Sequence, residues 1–254
     1  MLDYLDFDSK GKKVVARMDG VNSDMLMDVT VYQMKAGEVV EIEEAEKETA
    51  VLLLGGSVKY QWLNESQEGH RENVFNQAPY CLHVCKKVKV KIEALKNSEI
   101  LVQSTTNEKE FTCRFYTPKD LKVEVMGESQ WEGTAKREVV TVFDYFNAPY
   151  SNMVIGESIT KAGRWSSYIP HSHPQPEVYY YKFDCPQGFG ASFIGDSVYK
   201  VVDGSASYIP GGFTHPQAAA PGYNMYYCWM IRHLQDKPWT SRDNDPLHTW
   251  LLDK

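Results

Sequence analysis

The stretch GRWSSYIPHSHPQPEVYYY, residues 163–181, decides how this chain folds and what it can bind. Side chains at positions i and i+2 of a β-strand project to the same face, so His171 and His173 can present two imidazoles side by side. Two prolines follow and force a turn. Glu177 then opens the next strand and can bring a carboxylate to the same interior. The pattern predicts three side chains of metal-ligating type on neighbouring strands.

A second stretch, GSASYIPGGFTH at residues 204–215, supplies a fourth candidate ligand with the spacing G-x5-P-x-G-x2-H. Its glycines turn the chain, its proline makes the entry rigid, and His215 begins a strand. Together with His171, His173 and Glu177 it forms a set of three imidazoles and one carboxylate. Such a set leaves one or two coordination positions for water or substrate, and it suits Zn, Mn, Fe, Ni or Co without choosing among them. The alternative is three unrelated histidines, buried or at the surface.

Composition excludes several classes of protein. The chain has 254 residues, of which 43% are hydrophobic and 24% charged, so global disorder is excluded. The net charge of −7 without a basic tract argues against nucleic-acid binding, because phosphate contacts need clustered Lys and Arg. The longest aliphatic run, VLLL at 51–54, is too short for a membrane span, and the start lacks a signal-peptide core. Five irregularly spaced cysteines imply no disulfide framework. We therefore expect a cytoplasmic protein.

Short strand-like stretches between Gly, Asn and Pro turns predict an all-β fold. Helical periodicity is not convincing anywhere, and a short helix fits only near residues 144–147 or at the C-terminus. The polar, strand-poor segment 127–137 suggests a domain boundary, and a weak internal repeat suggests two similar halves. We expect tandem β-barrels of jelly-roll type. The first, 1–130, would lack metal ligands, and the second, 136–254, would carry the site.

One other cluster contains ligand-type side chains. Cys81, His83 and Cys85 alternate along one predicted strand, which makes a tetrahedral zinc site conceivable, although no fourth ligand is visible. A buried strand is the favoured interpretation. The remaining histidines have no such partners, and we assign them structural or surface roles: His70, His83, His233 and His248. Phosphate-binding loops, dinucleotide fingerprints and nucleophile elbows are absent from the sequence.

Seven further stretches of the second half carry a family resemblance, at residues 154–160, 163–168, 177–182, 186–189, 212–216, 220–227 and 245–250. Together with the two ligand motifs they resemble the cupin superfamily and, within it, the family of the 5-deoxy-glucuronate isomerases and the related 5-keto-4-deoxyuronate isomerases. The resemblance covers most of residues 136–254, and the first half looks like the metal-free barrel of that family. The implied architecture is a bicupin.

The implied activity is a metal-dependent aldose–ketose isomerisation of a deoxy-uronate. The first choice is conversion of 5-deoxy-glucuronate to 5-dehydro-2-deoxy-gluconate in inositol catabolism. The short link between His173 and Glu177 keeps the 5-keto-4-deoxyuronate isomerase of pectin catabolism as an alternative. The same ligands could hold Fe(II) in a cupin oxygenase, and a sugar-binding protein without turnover is a third alternative.

Candidate residues around the ion follow from parity and charge. Tyr179 and Tyr181 share parity with Glu177, and we expect Glu177 and Tyr181 to be catalytic. For the substrate we expect Arg164, Gln187 and Tyr227, with Arg164 gripping the carboxylate because Arg binds carboxylates bidentately. Lys182, Arg232 and Gln217 are further candidates. The expected partner is a small sugar acid, and a homo-oligomer is expected because edge strands must be covered.

Overall fold

The computed structural model describes residues 1–253 and is nearly all-β, with 49% strand and 6% helix. The all-β prediction is confirmed. Residues 144–147 form no helix, because the Asp144 carboxylate accepts hydrogen bonds from the backbone N–H groups of Phe146 and Asn147 and holds a turn. The C-terminus carries a short 3₁₀ helix at Thr249–Asp253. None of the helices in the described chain has the length and apolar character that crossing a membrane requires.

The strands are short, apart from one of 16 residues near the middle of the first half. Numbered along the chain they are β1 Leu2–Tyr4, β2 Lys12–Ala16, β3 Asp28–Met34, β4 Val39–Ile42, β5 Lys47–Trp62, β6 Glu65–Arg71, β7 Cys81–Val84, β8 Val90–Ala94, β9 Ser98–Thr106, β10 Arg114–Tyr116, β11 Val123–Met126, β12 Arg137–Phe143, β13 Met153–Thr160, β14 Trp165–Ser166, β15 His171–Ser172, β16 Glu177–Phe183, β17 Phe189–Ile194, β18 Ser197–Val202, β19 Ser205–Ile209, β20 Gln217–Ala219, β21 Met225–Arg232 and β22 Asp243–Asn244. Further 3₁₀ turns lie at Ser23–Met25, Pro118–Asp120 and Trp131–Gly133.

Two compact units divide the chain. The N-terminal unit comprises Leu5–Leu121 and Ala148–Asn152, and the C-terminal unit comprises Met1–Tyr4, Lys122–Asn147 and the chain from Met153. The predicted limits, 1–130 and 136–254, differ from this division at residues 122–130, at residues 148–152 and at the start of the chain. There β1 adds to the C-terminal unit by pairing with β19, and sequence patterns do not report such long-range pairing. The tandem-cupin description of the two units stays a prediction.

The N-terminal unit is built around β5, in a nine-stranded antiparallel sheet. The first half of β5 pairs with β7 and β9, and its second half pairs with β6 and β8, so one strand serves two parts of a curled sheet. Its inward residues alternate, with Val51, Leu53, Val58 and Tyr60 in one buried cluster. This alternation is the period of a strand with one face in a core.

The C-terminal unit packs a seven-stranded sheet, in the order β1-β19-β16-β21-β13-β12-β11, with a four-stranded sheet, β14-β20-β17-β18. Their shared core combines aromatic residues of β16 and β21 with Ile194 of β17 and Ala219 of β20. In the larger sheet Tyr181 stands opposite Tyr227, and Tyr179 stands opposite Trp229. Glu177 opens β16, and His171 lies in the small sheet of β15 and β22. The ligand-type side chains therefore approach one end of this core.

Candidate metal centre and active-site cavity

Three of the four predicted metal ligands form a buried group in the C-terminal unit. Glu177 Oε2 lies 3.2 Å from His173 Nε2 and 3.3 Å from His215 Nε2. The ligand atoms of these three residues all lie within 4.8 Å of one another. Each of the three residues exposes 5% or less of its surface to solvent. Within residues 1–253 this is the one group of three or more His, Cys, Asp and Glu side chains close enough to hold an ion.

His171, the fourth predicted ligand, stands beside this group. Its ring centroid is 4.8 Å from that of His215, at 77° between the planes. Burial is the main reason that the pKa of His171 falls to about 2, and His215 and Arg242 nearby lower it further. Burial also lowers the pKa of His215. Both imidazoles are therefore neutral at neutral pH, as metal binding requires.

Each of the three rings is oriented by a backbone carbonyl two residues away. A carbonyl oxygen can only accept a hydrogen bond, so the Nδ1 atom facing it carries the proton and Nε2 keeps its lone pair. The three Nδ1–O distances are all 3.0 Å, and the carbonyls belong to Ile169 for His171, Gln175 for His173 and Phe213 for His215. Such partners fix both the tautomer and the ring orientation of metal-binding histidines.

The atoms that converge in this group fit a divalent ion. The Nδ1–H donation directs the Nε2 lone pairs of His173 and His215 towards the same carboxylate oxygen of Glu177. Acceptors in this arrangement, removed from water, are unfavourable unless a cation lies among them. Imidazole nitrogens and one carboxylate also form a donor set that divalent transition metals accept. The side chains present therefore match the predicted cofactor class.

A cavity of about 310 Å³ opens beside the group, and its wall includes all four predicted ligands. Tyr179 and Tyr227 line it with stacked rings, 4.5 Å between centroids. Ser167, also in the wall, has its Oγ 3.3 Å from both phenolic oxygens, and the Tyr227 hydroxyl donates to Ser166 Oγ at 3.0 Å. The cavity thus joins potential metal ligands to a short chain of hydroxyl groups.

The predicted substrate and catalytic residues are only partly brought together. Tyr227 lines the cavity as expected. Tyr181 does not line it. The Tyr181 hydroxyl donates to Gln217 Oε1 at 2.8 Å, deeper in the core, so a direct catalytic role does not fit its position. Parity along β16 correctly indicates the interior face, but parity carries no information about depth. Gln217 is wholly buried rather than at the cavity mouth.

The basic and polar candidates taken from loops are not in the cavity wall either. Arg164 lies in the turn before β14 and is partly exposed, and Gln187 is exposed in the turn before β17. Lys182 and Arg232 are also absent from the described lining. Arg164, Lys182 and Arg232 were chosen for their charge and Gln187 for its polar side chain, and neither property determines which side chains a barrel interior brings together.

Sequence reasoning missed two cations of the cavity wall, Arg137 and Arg242. Arg137 shares parity with Val139 and Thr141 of β12, and all three line the cavity, so the alternation of REVVTVF could have placed it. Arg242 is exposed next to β22 and has no periodic signal. Trp229 and Trp239 complete an apolar part of the wall, with 5.9 Å between ring centroids.

The Cys81–His83 region of the N-terminal unit has another role. His83 is fully buried, and its Nε2 lies 2.8 Å from Glu48 Oε2. The same carboxylate accepts hydrogen bonds from Ser151 Oγ at 2.9 Å and Asn107 Nδ2 at 3.0 Å. This is a buried polar network around one carboxylate, and the conceivable zinc site at Cys81 and Cys85 is absent from the metal-type groups of the described residues.

The chain has a cupin-like fold, and its C-terminal unit buries a His/Glu group that could hold a metal ion. A cupin 2 conserved barrel domain protein from Leptotrichia buccalis superposes with a TM-score of 0.51 at 11% identity, covering 87% of this chain and 88% of that one. An IolB-like protein from Salmonella typhimurium LT2 superposes more closely, with a TM-score of 0.89 at 22% identity over 99% and 98% of the two chains.

The particular family follows from the sequence of the whole chain. Residues 4–251 match the KduI/IolB family, and the chain belongs to it. A relative from Geobacillus thermodenitrificans named 5-deoxy-glucuronate isomerase is 27% identical over 241 residues, which are 88% of this chain and 85% of the relative. The resemblance inferred from the motifs is confirmed.

Proposed function

We propose that this chain is a metal-dependent aldose–ketose isomerase whose substrate is 5-deoxy-glucuronate. The observation that carries the proposal is the convergence of His173, Glu177 and His215 in a cavity lined by tyrosine hydroxyls, in a chain of the KduI/IolB family. The name 5-deoxy-glucuronate isomerase on relatives that align with most of the chain indicates the substrate.

The reaction moves a carbonyl group by one carbon without any net oxidation. The carbon next to the aldehyde loses its proton, the former aldehyde carbon gains one, and a hydroxyl proton moves between the two oxygens. A divalent ion held by His171, His173, Glu177 and His215 would supply a Lewis acid for those oxygens. The protein must then orient the sugar, exclude water and hold the protons in transit.

The tyrosines of the cavity suit the holding of protons. Burial is the main cause that raises the pKa of Tyr179 well above its ordinary value, so its phenol keeps its proton at neutral pH and can donate to a ligand oxygen. Tyr227 lies stacked on it and lines the same wall. We therefore assign to Tyr179 and Tyr227 the role that parity suggested for Tyr181. Glu177 is the only carboxylate in the described wall, and we propose it as the proton carrier.

Two tryptophans of the remaining wall would limit the access of water to the reacting carbons. Trp229 and Trp239 pack at an angle of 53° to each other, and Trp239 also approaches the ring of His173, with 6.2 Å between centroids. An apolar wall strengthens the electrostatic interactions beside it. It also limits the exchange of the transferred proton with solvent, which makes isotope transfer a sensitive assay.

The test follows 5-deoxy-glucuronate by NMR with the purified full chain, before and after treatment with a chelator and after metal is restored. We expect turnover that is lost with the ion and regained with it, and elemental analysis identifies which of Zn, Mn, Fe, Ni or Co is bound. His215→Ala should lose both metal and activity. His70→Ala is the matched control, because His70 is exposed in the N-terminal unit.

Three outcomes would replace the proposal. Turnover of 5-keto-4-deoxyuronate alone would move the substrate to the other branch of the family. Oxygen consumption with the sugar acid would indicate an Fe(II) oxygenase, since an isomerase consumes none. Tight binding of the sugar acid without product would indicate a sugar-binding protein. The predicted homo-oligomer is checked on the same preparation by light scattering.

A further inference from the structure

Arg137 is a buried cation in the wall of the proposed active site. It begins β12, its residue is 5% exposed, and its side chain lines the cavity together with Val139 and Thr141 of the same strand face. Two of its N–H groups donate to backbone carbonyls, from Nη1 to Ala135 at 3.0 Å and from Nη2 to Tyr168 at 3.3 Å. These contacts orient the guanidinium group without neutralising it.

No carboxylate among residues 1–253 forms an ion pair with Arg137. Burial lowers the pKa of its guanidinium below its ordinary value, yet a guanidinium stays protonated in proteins. A buried charge with only neutral partners is costly, and proteins keep such groups paired or use them to bind charged ligands. Two carbonyl bonds use two of its five N–H donors, so the others are available to a ligand.

The neighbours of Arg137 connect it to the metal group. The hydroxyls of Tyr227 and Tyr179 are close enough to interact with its charge, and both tyrosines lie in the wall that His173 and Glu177 share. A ligand in the cavity therefore meets potential metal ligands, phenol groups and a buried guanidinium. A sugar acid presents the matching groups, with carbonyl and hydroxyl oxygens at one end of its carbon chain and a carboxylate at the other.

We propose that Arg137 binds the carboxylate of the substrate and thereby selects uronates over neutral aldoses at this site. The inference rests on the proposed function and adds a specificity-determining residue to it. Arg242 is the competing cation of the same wall, but it is exposed at the mouth, where water screens its charge. The planar guanidinium of Arg137 is partly desolvated and already oriented by the Ala135 and Tyr168 carbonyls, which favours bidentate recognition.

The first experiment compares two substrates that differ only in the charged group. These are 5-deoxy-glucuronate and 5-deoxy-glucose, in which a hydroxymethyl group replaces the carboxylate. The wild-type holoenzyme should prefer the acid. Arg137→Gln should lower kcat/KM for the acid by about 30-fold or more, as truncation of one partner of a buried charged pair does. It should change kcat/KM for the neutral sugar by less than about threefold.

Two further variants separate recognition from folding. Arg137→Lys keeps the charge but not the planar fork, so it should fold and show an intermediate loss for the acid alone. It replaces Arg137→Gln if that variant fails to fold. Arg114→Gln is the control, since Arg114 is an exposed arginine of the N-terminal unit. The thermal midpoint and the metal content of each variant are measured alongside the kinetics.

A binding measurement makes the inference independent of turnover. Reduction of the aldehyde gives an unreactive alditol acid from 5-deoxy-glucuronate and a neutral alditol from 5-deoxy-glucose. Calorimetry with wild-type protein should show tighter binding of the acid, and Arg137→Gln should remove the difference. If the wild-type protein turns over neither sugar but keeps this difference, the proposed function fails and the assignment of Arg137 stands.

Equal losses for the acid and the neutral sugar in Arg137→Gln would overturn the assignment, because they would indicate a structural role. Loss of discrimination in Arg242→Gln, with Arg137→Gln still discriminating, would overturn it too and move the carboxylate to the mouth. In either case, metal-dependent turnover by wild-type protein would leave the proposed isomerase function in place.

Discussion

Replacing Gly156 by alanine would displace Trp229, a residue in the wall of the active-site cavity. Gly156 lies in β13, directly opposite Trp229 of β21. A Cβ atom at Gly156 would lie 2.1 Å from Cζ2 of the Trp229 indole, whereas ordinary contacts begin at 3.4 Å. The ring must therefore move by about 3.4 − 2.1 = 1.3 Å. Since Trp229 lines the cavity, this displacement changes the shape of the substrate site.

The expected cost follows from overpacking of a buried ring. Trp229 is 7% exposed, and forced repacking at such sites costs about 1–3 kcal/mol of the free energy of unfolding. For a protein of this size that corresponds to a thermal midpoint lower by about 2–12 °C. Displacement of a positioning side chain by about 1 Å can lower activity substantially, and we expect kcat/KM to fall by about tenfold or more.

The assay combines thermal unfolding followed by circular dichroism with steady-state kinetics on the metal-loaded protein. Gly55→Ala is the control, because the nearest atom to its added Cβ is the Glu72 carbonyl oxygen at 3.7 Å. Trp229→Phe in the Gly156→Ala background should recover part of the stability, since a smaller ring removes the overlap. A Gly156→Ala protein with the wild-type midpoint and wild-type kinetics would refute the reasoning.

Three other perturbations test the remaining assignments. Tyr181→Phe should lower the free energy of unfolding by about 1–3 kcal/mol, because Gln217 loses its buried donor, and should change kcat by less than about threefold. Tyr227→Phe should lower kcat by about tenfold. A larger loss of kcat in Tyr181→Phe than in Tyr227→Phe would restore Tyr181 as the catalytic residue. Glu48→Gln should cost about 3–5 kcal/mol in denaturant unfolding, because the carboxylate accepts from four groups, and a wild-type midpoint would contradict that. In metal-free protein His171, whose pKa is lowered from 6.5 to about 2, takes up a proton only on unfolding. Its contribution to stability should fall by about 1.4 kcal/mol per pH unit below pH 6.5, measured by urea unfolding against His171→Asn, and equal pH slopes in the two proteins would count against it.

Local spacing was sufficient to predict that His173 and Glu177 come together in a group that could hold a metal ion. The positions His171, His173 and Glu177 need only the two-residue period of a strand and one proline turn, and the structure places His173 and Glu177 within hydrogen-bond distance. Arg164 and Gln187, which were chosen for their charge and polarity, do not line the cavity. Their neighbours in the fold depend on how loops leave the barrel, and no periodic signal describes that.

The sequence also did not predict how deep in the barrel each interior side chain lies. Tyr181 and Tyr227 stand opposite each other in β16 and β21, yet only Tyr227 lines the cavity. Parity assigns a face to each residue, but the position of the cavity along that face depends on which residues of the opposite sheet fill the rest of the core. Arg137 was missed for a related reason, since it lies 34 residues before His171, the nearest predicted ligand in the sequence.

By itself, the sequence determined an all-β chain with a His/Glu group, because alternation, turn residues and ligand spacing are local properties of the chain. The family was indicated separately, by the resemblance of its motifs. Only the tertiary structure decided which tyrosines meet the cavity, which arginine is buried beside it, and that the first strand joins the C-terminal unit. Those features depend on the register between strands far apart in sequence, and register is set by packing of the whole core rather than by any one segment.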